Sequence, residues 1–132
     1  MSKQYTQVVD FNRAILKIAK RPVGIQDPDE FMLSMTQLKE EIGEIEEAYK
    51  HQDFVELIDG LIDLEYFLLG IFYKNGLSSK THEDIFTAVH IANLNKKAGI
   101  KQGREGFSAA DANKPEDWVS PEQAIIDILE GL

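Results

Sequence analysis

The chain has 132 residues, 43% of them hydrophobic, which suits one domain over residues 1–132 with a real core. With 23 acidic residues against 14 basic ones the net charge is −9, which repels a nucleic-acid backbone and excludes polymeric DNA or RNA as an expected partner. The absence of cysteine excludes disulfide frameworks, thiolate zinc sites and cysteine nucleophiles, and is in keeping with a cytoplasmic location.

The first 20 residues carry charges through an amphipathic pattern and lack the uninterrupted apolar core of a signal peptide. Val8, Phe11, Ile15 and Ile18 recur at three- and four-residue steps, which predicts a first helix over about 3–20. After a turn-rich stretch, Asp27 reads as an N-cap, with Pro28 at the first helical position and Glu30 closing a capping box. This second helix runs to about Lys50 and packs through Leu38, Ile42, Ile45 and Tyr49. A linker of only His51, Gln52 and Asp53 makes the second and third helices antiparallel neighbours. Asp53 caps the third helix, and Gly76 ends it.

Thr81 is the expected cap of a fourth helix, with Ile85, Ala88, Val89 and Ala92 facing inward and Gly99 as its stop. The stretch from Gly99 to Val119 turns to Gly, Ala, Asp, Asn and Lys and reads as a long excursion. Ser120, Pro121 and Gln123 then open a short final helix whose packing stripe is Ala124, Ile125, Ile128 and Leu129. The expected fold is all-α: a four-helix-bundle core with a long loop and a short C-terminal helix. Asp59, Asp63 and Glu65 interrupt the most hydrophobic run before it reaches the length of a membrane span.

The third helix carries the chemistry. Glu56, Asp59 and Asp63 lie along one line of it, while Leu57, Ile58, Leu61, Ile62, Leu64, Leu68 and Leu69 cover most of the remaining circumference. A helix this apolar is expected to be buried, and buried carboxylates must be protonated, paired with a base or gathered around a cation. No Lys or Arg occurs between Lys50 and Lys74, so a hard divalent ion is the economical explanation. On the second helix Glu41 and Glu44 flank the apolar stripe and can face the same line across the seam, whereas Lys39, Glu40, Glu46 and Glu47 point toward solvent.

Oxygen-only ligands suit Mg²⁺, with Mn²⁺ as a substitute. A di-iron bundle would want Glu-x-x-His, and none of His51, His82 or His90 has a Glu three residues before it. The plain readings are that helical glutamates form a solvated face and that Glu56 completes a capping box with Asp53. They fit Asp59 and Asp63 poorly, because Asp is a weak helix former and both sit mid-helix among Ile and Leu.

A second constellation is basic: His90, Asn93, Asn95, Lys96, Lys97, Lys101 and Arg104. Lys96 and Arg104 can neutralise phosphate oxygens and Asn93 can hydrogen-bond a base or sugar. The alternative for Lys97 and Lys101 is helix C-terminal cations complementing the dipole. An acidic metal cluster beside a basic flank is the chemistry of a nucleoside polyphosphate.

The ordered set Glu41-Ile-Gly-Glu44, Glu56-Leu-Ile-Asp59 and Asp63-Leu-Glu-Tyr66 resembles the all-α NTP pyrophosphatase superfamily, which includes MazG-like, phosphoribosyl-ATP pyrophosphohydrolase-like and dimeric deoxyuridine triphosphatase-like members. A His-x-x-Asn-x-x-Lys element is matched by His90, Asn93 and Lys96, with a weaker similarity around Lys114, Pro115, Trp118 and Pro121. Two features depart from the pattern. Gly60 stands where many members have Glu, which leaves open whether Glu56 and Asp59 or Asp59 and Asp63 form the second metal motif. A basic residue often found shortly before the first Glu pair is absent.

The resemblance implies hydrolysis of a nucleoside triphosphate to a monophosphate and pyrophosphate. Glu41, Glu44, Glu56, Asp59 and Asp63 would hold Mg²⁺, Glu41 or its neighbour Glu40 would activate water, and Asn93, Lys96 and Arg104 would bind substrate. It also implies a homodimer or homotetramer, with Tyr66, Phe72 and Tyr73 expected in the contact. The competing class is a catalytically silent helical module that binds metal or a partner.

Overall fold

The computed structural model describes residues 2–104, 106–107 and 110–132; parts of the expected Gly99–Val119 excursion thus lie outside the described residues. Among the described residues there are five helices and one small two-stranded sheet, so the chain is all-α as expected. It divides into two compact units, one running to Ser79 and one from Lys80 to Leu132. No helix is long and apolar enough to cross a membrane.

The first unit holds α1 (Lys3–Ala14), α2 (Pro28–Lys50) and α3 (Phe54–Lys74), with α2 packed along α3 and α1 against α3. Helix α1 stops at Ala14, well short of residue 20, and Lys17 follows in the left-handed region with φ 59°. Its buried face is Tyr5, Val8 and Asn12, so Ile15 is exposed and Phe11 is only partly covered. The Tyr5 hydroxyl donates to the Leu77 carbonyl at 2.6 Å and Tyr73 donates to the Ile18 carbonyl at 2.8 Å, which ties both flanks of α1 to the end of α3.

Asp27 caps α2, accepting from the backbone N–H groups of Asp29 and Glu30. Glu30 does not return the bond. Its carboxylate takes both Arg21 Nη atoms, Nη2 to Oε2 at 2.8 Å, and accepts from Gln26. Arg21 also donates to the Lys74 carbonyl, and Gln26 and Asn75 exchange two hydrogen bonds. This polar knot joins the start of α2 to the end of α3.

Both ends of the α2–α3 hairpin close by the same device. At the α2 end, Gln52 (φ 53°) donates from its backbone N–H to Tyr49 and Asp53 donates to Ala48. At the α3 end, Gly76 (φ 84°) donates to Tyr73 and Leu77 to Phe72. A Cβ on Gly76 would stand 2.3 Å from the Pro22 carbonyl oxygen, so glycine is required there by both the backbone conformation and the close approach.

The expectation that α3 is buried is not met. Its buried residues are Gly60, Gly70, Tyr73 and Lys74, whereas Phe54, Val55 and Ile62 are 71%, 74% and 56% exposed. Tyr73, expected in a contact between copies, lies instead inside the unit, and Tyr66 packs edge-on to Phe11 at 5.6 Å. On α2, Ile42 and Tyr49 are likewise exposed, and Ser34 and Ala48 supply the buried positions. Two helices packed on α3 cover only part of an apolar face that extends round most of its circumference.

Helix α4 (Ser79–Leu94) opens at the unit boundary, two residues ahead of the expected Thr81 cap, and Thr81 is buried inside its first turn. Ala92 is buried and Ile85, Ala88 and Val89 are half-buried, as the pattern predicts. The helix ends at Leu94, before Gly99, because the chain turns into β1 (Lys97–Gly99), which pairs antiparallel with β2 (Asp111–Asn113). The register sets Lys97 opposite Asn113 and Gly99 opposite Asp111. This hairpin was not legible as a strand pattern, since three-residue strands carry no alternation to read. Helix α5 (Glu122–Glu130) starts with Ser120 Oγ accepting from Glu122, and Ile125 and Ile128 are its half-covered positions.

Candidate active site

The three-residue turn sets α3 back along α2, and Gly60 lies against α2: a Cβ there would lie 2.8 Å from Ile45 Cγ1. The glycine that departs from the acidic pattern therefore stands where a side chain would crowd Ile45. Either side of that contact the carboxylates of both helices come together.

Glu41, Glu44, Asp59 and Asp63 form one electrostatic group. Burial, then Glu44, Asp63 and Asp59, push the Glu41 carboxyl above the usual carboxylate range. Burial, then Asp59 and Glu44, push Asp63 up in the same sense. Among the described residues none of these four makes an ion pair. Glu41 Oε2 is buried and has no hydrogen-bond partner.

Toward the turn, Glu44 and Asp59 also line an open cleft of about 400 Å³ with Glu47, His51, Asp53, Glu56, Ala48 and Gly60. Glu56 thus belongs to the turn end of the acidic strip, whereas Glu41 and Asp63 lie further along it. The capping-box reading of Glu56 does not hold: Asp53 Oδ1 accepts from the Glu56 N–H at 3.1 Å, but the Asp53 N–H is taken by Ala48. Glu47 and His51 were missed as cleft residues. The signal was their spacing, because Glu44, Glu47 and His51 follow one another at three- and four-residue steps along one helix face. The His51 ring is 2.9 Å from the Glu47 carbonyl through Nδ1.

A divalent cation fits this donor set. The ligands are all oxygen, burial and mutual repulsion raise the proton affinity of Glu41 and Asp63, and one buried oxygen lacks any partner. Among the described residues no three Asp, Glu or His side chains stand as a ready-made metal site. The carboxylates are unpaired and helix-borne, so side-chain rotation is what would gather them.

The basic residues expected on the substrate side belong to the second unit. Asn93 is exposed near the end of α4. Lys96 Nζ lies 5.3 Å from the Trp118 ring centroid. Arg104 Nε is 3.2 Å from Asp111 Oδ2, so its charge is partly met within the hairpin, where it lines a small hollow with Lys101, Phe107, Ala110 and Asp111.

No curated protein matches the chain. Residues 8–93 match the family described as phosphoribosyl-ATP pyrophosphohydrolase, a span that takes in α2, α3 and nearly all of α4, with every candidate carboxylate and Asn93. Members of that family are pyrophosphohydrolases of nucleotide-like substrates and typically use divalent metals. On the match over most of its length, together with the carboxylate strip between α2 and α3, the chain belongs to the phosphoribosyl-ATP pyrophosphohydrolase family of the all-α NTP pyrophosphatase superfamily.

Proposed function

We propose that residues 1–132 act as a Mg²⁺-dependent nucleoside triphosphate pyrophosphohydrolase, converting a ribo- or deoxyribonucleoside triphosphate to the monophosphate and pyrophosphate, in keeping with a cytoplasmic role in cleaning the nucleotide pool. The observation that carries the reading is the strip of Glu41, Glu44, Asp59 and Asp63, without an ion pair among the described residues, with one buried oxygen of Glu41 unsatisfied. A polar atom so placed costs stability unless something it binds compensates.

Glu41, Glu44, Glu56, Asp59 and Asp63 would hold the metal, Mn²⁺ serving in place of Mg²⁺. When bound, the cation supplies charge neutralisation for the phosphates and a lowered pKa for a coordinated water. Glu41, half-buried in the strip, would orient the attacking water and accept its proton, its raised proton affinity suiting it to the task. Exposed Glu40 is the neighbouring candidate for the same role. Lys96 and Arg104 bind phosphate oxygens and Asn93 the nucleoside.

A second copy of the chain is the proposed cover for the open apolar face of α3, giving a homodimer or homotetramer. Phe54, Val55, Ile58, Leu61, Ile62 and Leu68 of one helix are all exposed in one protomer, and contiguous apolar surface of this kind marks interaction sites. Light scattering that gave a monomer at micromolar concentration would refute this.

The test of activity is pyrophosphate release from a panel of nucleoside triphosphates and phosphoribosyl-ATP, with Mg²⁺, Mn²⁺ or chelator. Metal-dependent release of pyrophosphate, lost by about 10²-fold or more in Glu44→Gln, is expected. Turnover of phosphoribosyl-ATP alone would replace the triphosphate substrate. No turnover across the panel, with Mg²⁺ still raising the melting temperature, would favour the silent metal-binding module.

A further inference from the structure

We infer that Lys96 and Lys114, held on the indole of Trp118, form an oligophosphate clamp in which Trp118 is the positioning residue. The inference deepens the proposed function, resting on its reading that the substrate carries an oligophosphate.

Three observations within the second unit carry it. The β1–β2 register pairs Lys97 with Asn113, so Lys96 and Lys114 are the residues that flank the last pair of the ladder at the same end. Like charges brought to the same end of a ladder repel, and in a chain of net charge −9 an acidic residue at either position would have been easy to supply. Among the described residues neither lysine has a carboxylate partner.

Both ammonium groups instead lie over the same ring, Lys96 Nζ at 5.3 Å and Lys114 Nζ at 4.9 Å from its centroid. The negative π face holds a cation without neutralising it, so the two charges remain available to an anion. The ring itself is fixed. Trp118 Nε1 donates to the Ala92 carbonyl at 2.7 Å, and its backbone N–H donates to the Pro115 carbonyl at 3.0 Å. The end of α4, the start of β1 and the end of β2 are thereby fastened around one indole.

Two ammonium groups within about 10 Å of one another, pre-oriented by a rigid ring, match a ligand with several linked phosphates better than a single orthophosphate. Neither Lys114 nor Trp118 falls within the span of the family match, which ends at residue 93.

Trp118 is the sole tryptophan of the chain, so its emission reports directly on the two lysines. The experiment titrates the full chain with inorganic tripolyphosphate, and separately with orthophosphate, in the presence of chelator so that no metal-dependent step contributes. A saturable change in emission is expected with tripolyphosphate, with affinity falling about tenfold in Lys96→Met or in Lys114→Met and vanishing in the double variant. Trp118→Leu, followed by calorimetry and checked for helicity by circular dichroism, is expected to lose affinity although both lysines remain. Equal affinity in the wild type and the double variant would overturn the clamp, as would no saturable change and no heat at millimolar tripolyphosphate. Lysine-dependent binding in a protein that hydrolyses nothing would support the clamp and refute the proposed function; hydrolysis unaltered by both lysine substitutions would do the reverse.

Discussion

Replacing Glu41 by Gln should make the metal-free protein more stable, the opposite of what most substitutions at a half-buried position do. In the structure this carboxyl faces three others, Glu44, Asp59 and Asp63, and one of its own oxygens is buried without a partner. The amide is nearly isosteric, so packing is conserved and only charge and hydrogen bonding change. Each like-charge contact in this partly solvated strip is taken at a few tenths of a kcal/mol, by analogy with exposed ion pairs of opposite sign. The amide can in addition donate to Glu44, a bond of the order of 1 kcal/mol before its desolvation is subtracted.

The net expectation is a gain of about 1 kcal/mol at pH 7, which for a chain of this size raises the melting temperature by about 4 °C. The same substitution removes a ligand, so the further rise produced by millimolar Mg²⁺ in the wild type should shrink or vanish. The assay is thermal unfolding by circular dichroism for both proteins with chelator and with Mg²⁺. A Glu41→Gln protein that melts lower than the wild type in chelator would refute the reasoning, since it would mean that the carboxylate is a satisfied structural group.

The pH dependence follows with a definite sign. Glu41 and Asp63 hold protons more tightly folded than unfolded, so their contribution to stability falls as pH rises from the ordinary carboxylate range through their raised values. Saturating Mg²⁺ should flatten that fall, and urea midpoints from pH 4 to 8 with and without the cation would show it; a midpoint contribution that rises over this window in the wild type and is abolished in Glu41→Gln would be contrary. Gly76→Ala forces a Cβ to 2.3 Å from a backbone oxygen at φ 84°, and should cost about 3 kcal/mol or more in chemical denaturation. Arg21→Met leaves Glu30 without its forked partner and the Lys74 carbonyl without a donor, for a loss of about 1.5 kcal/mol given the partial exposure of both side chains; a salt-independent loss under 0.5 kcal/mol would show the pair to be ornamental.

The sequence by itself determined the local structure of this protein and the chemistry placed on it. Asp27 and Asp53 cap α2 and α3 through their own backbone neighbours, and Gly76 ends α3 because few other residues adopt its backbone conformation; such signals act within a few residues and survive in one dimension. Asp59 and Asp63 stood out for the same reason, being poor helix formers on an otherwise apolar helix with no base nearby.

Only the tertiary structure decided what those helices cover and which charges meet. Three-residue strands leave no periodic trace, so the register that brings Lys96 and Lys114 to the same end of the ladder could not be read, nor the indole that holds them. The pairing of Glu41 with Asp63, the Gly60–Ile45 approach and the open face of α3 depend on how much of each helix its neighbours reach. Periodicity tells which face of a helix is apolar, whereas burial is a property of the partner that packs on it, and that partner is not written in the helix's own sequence.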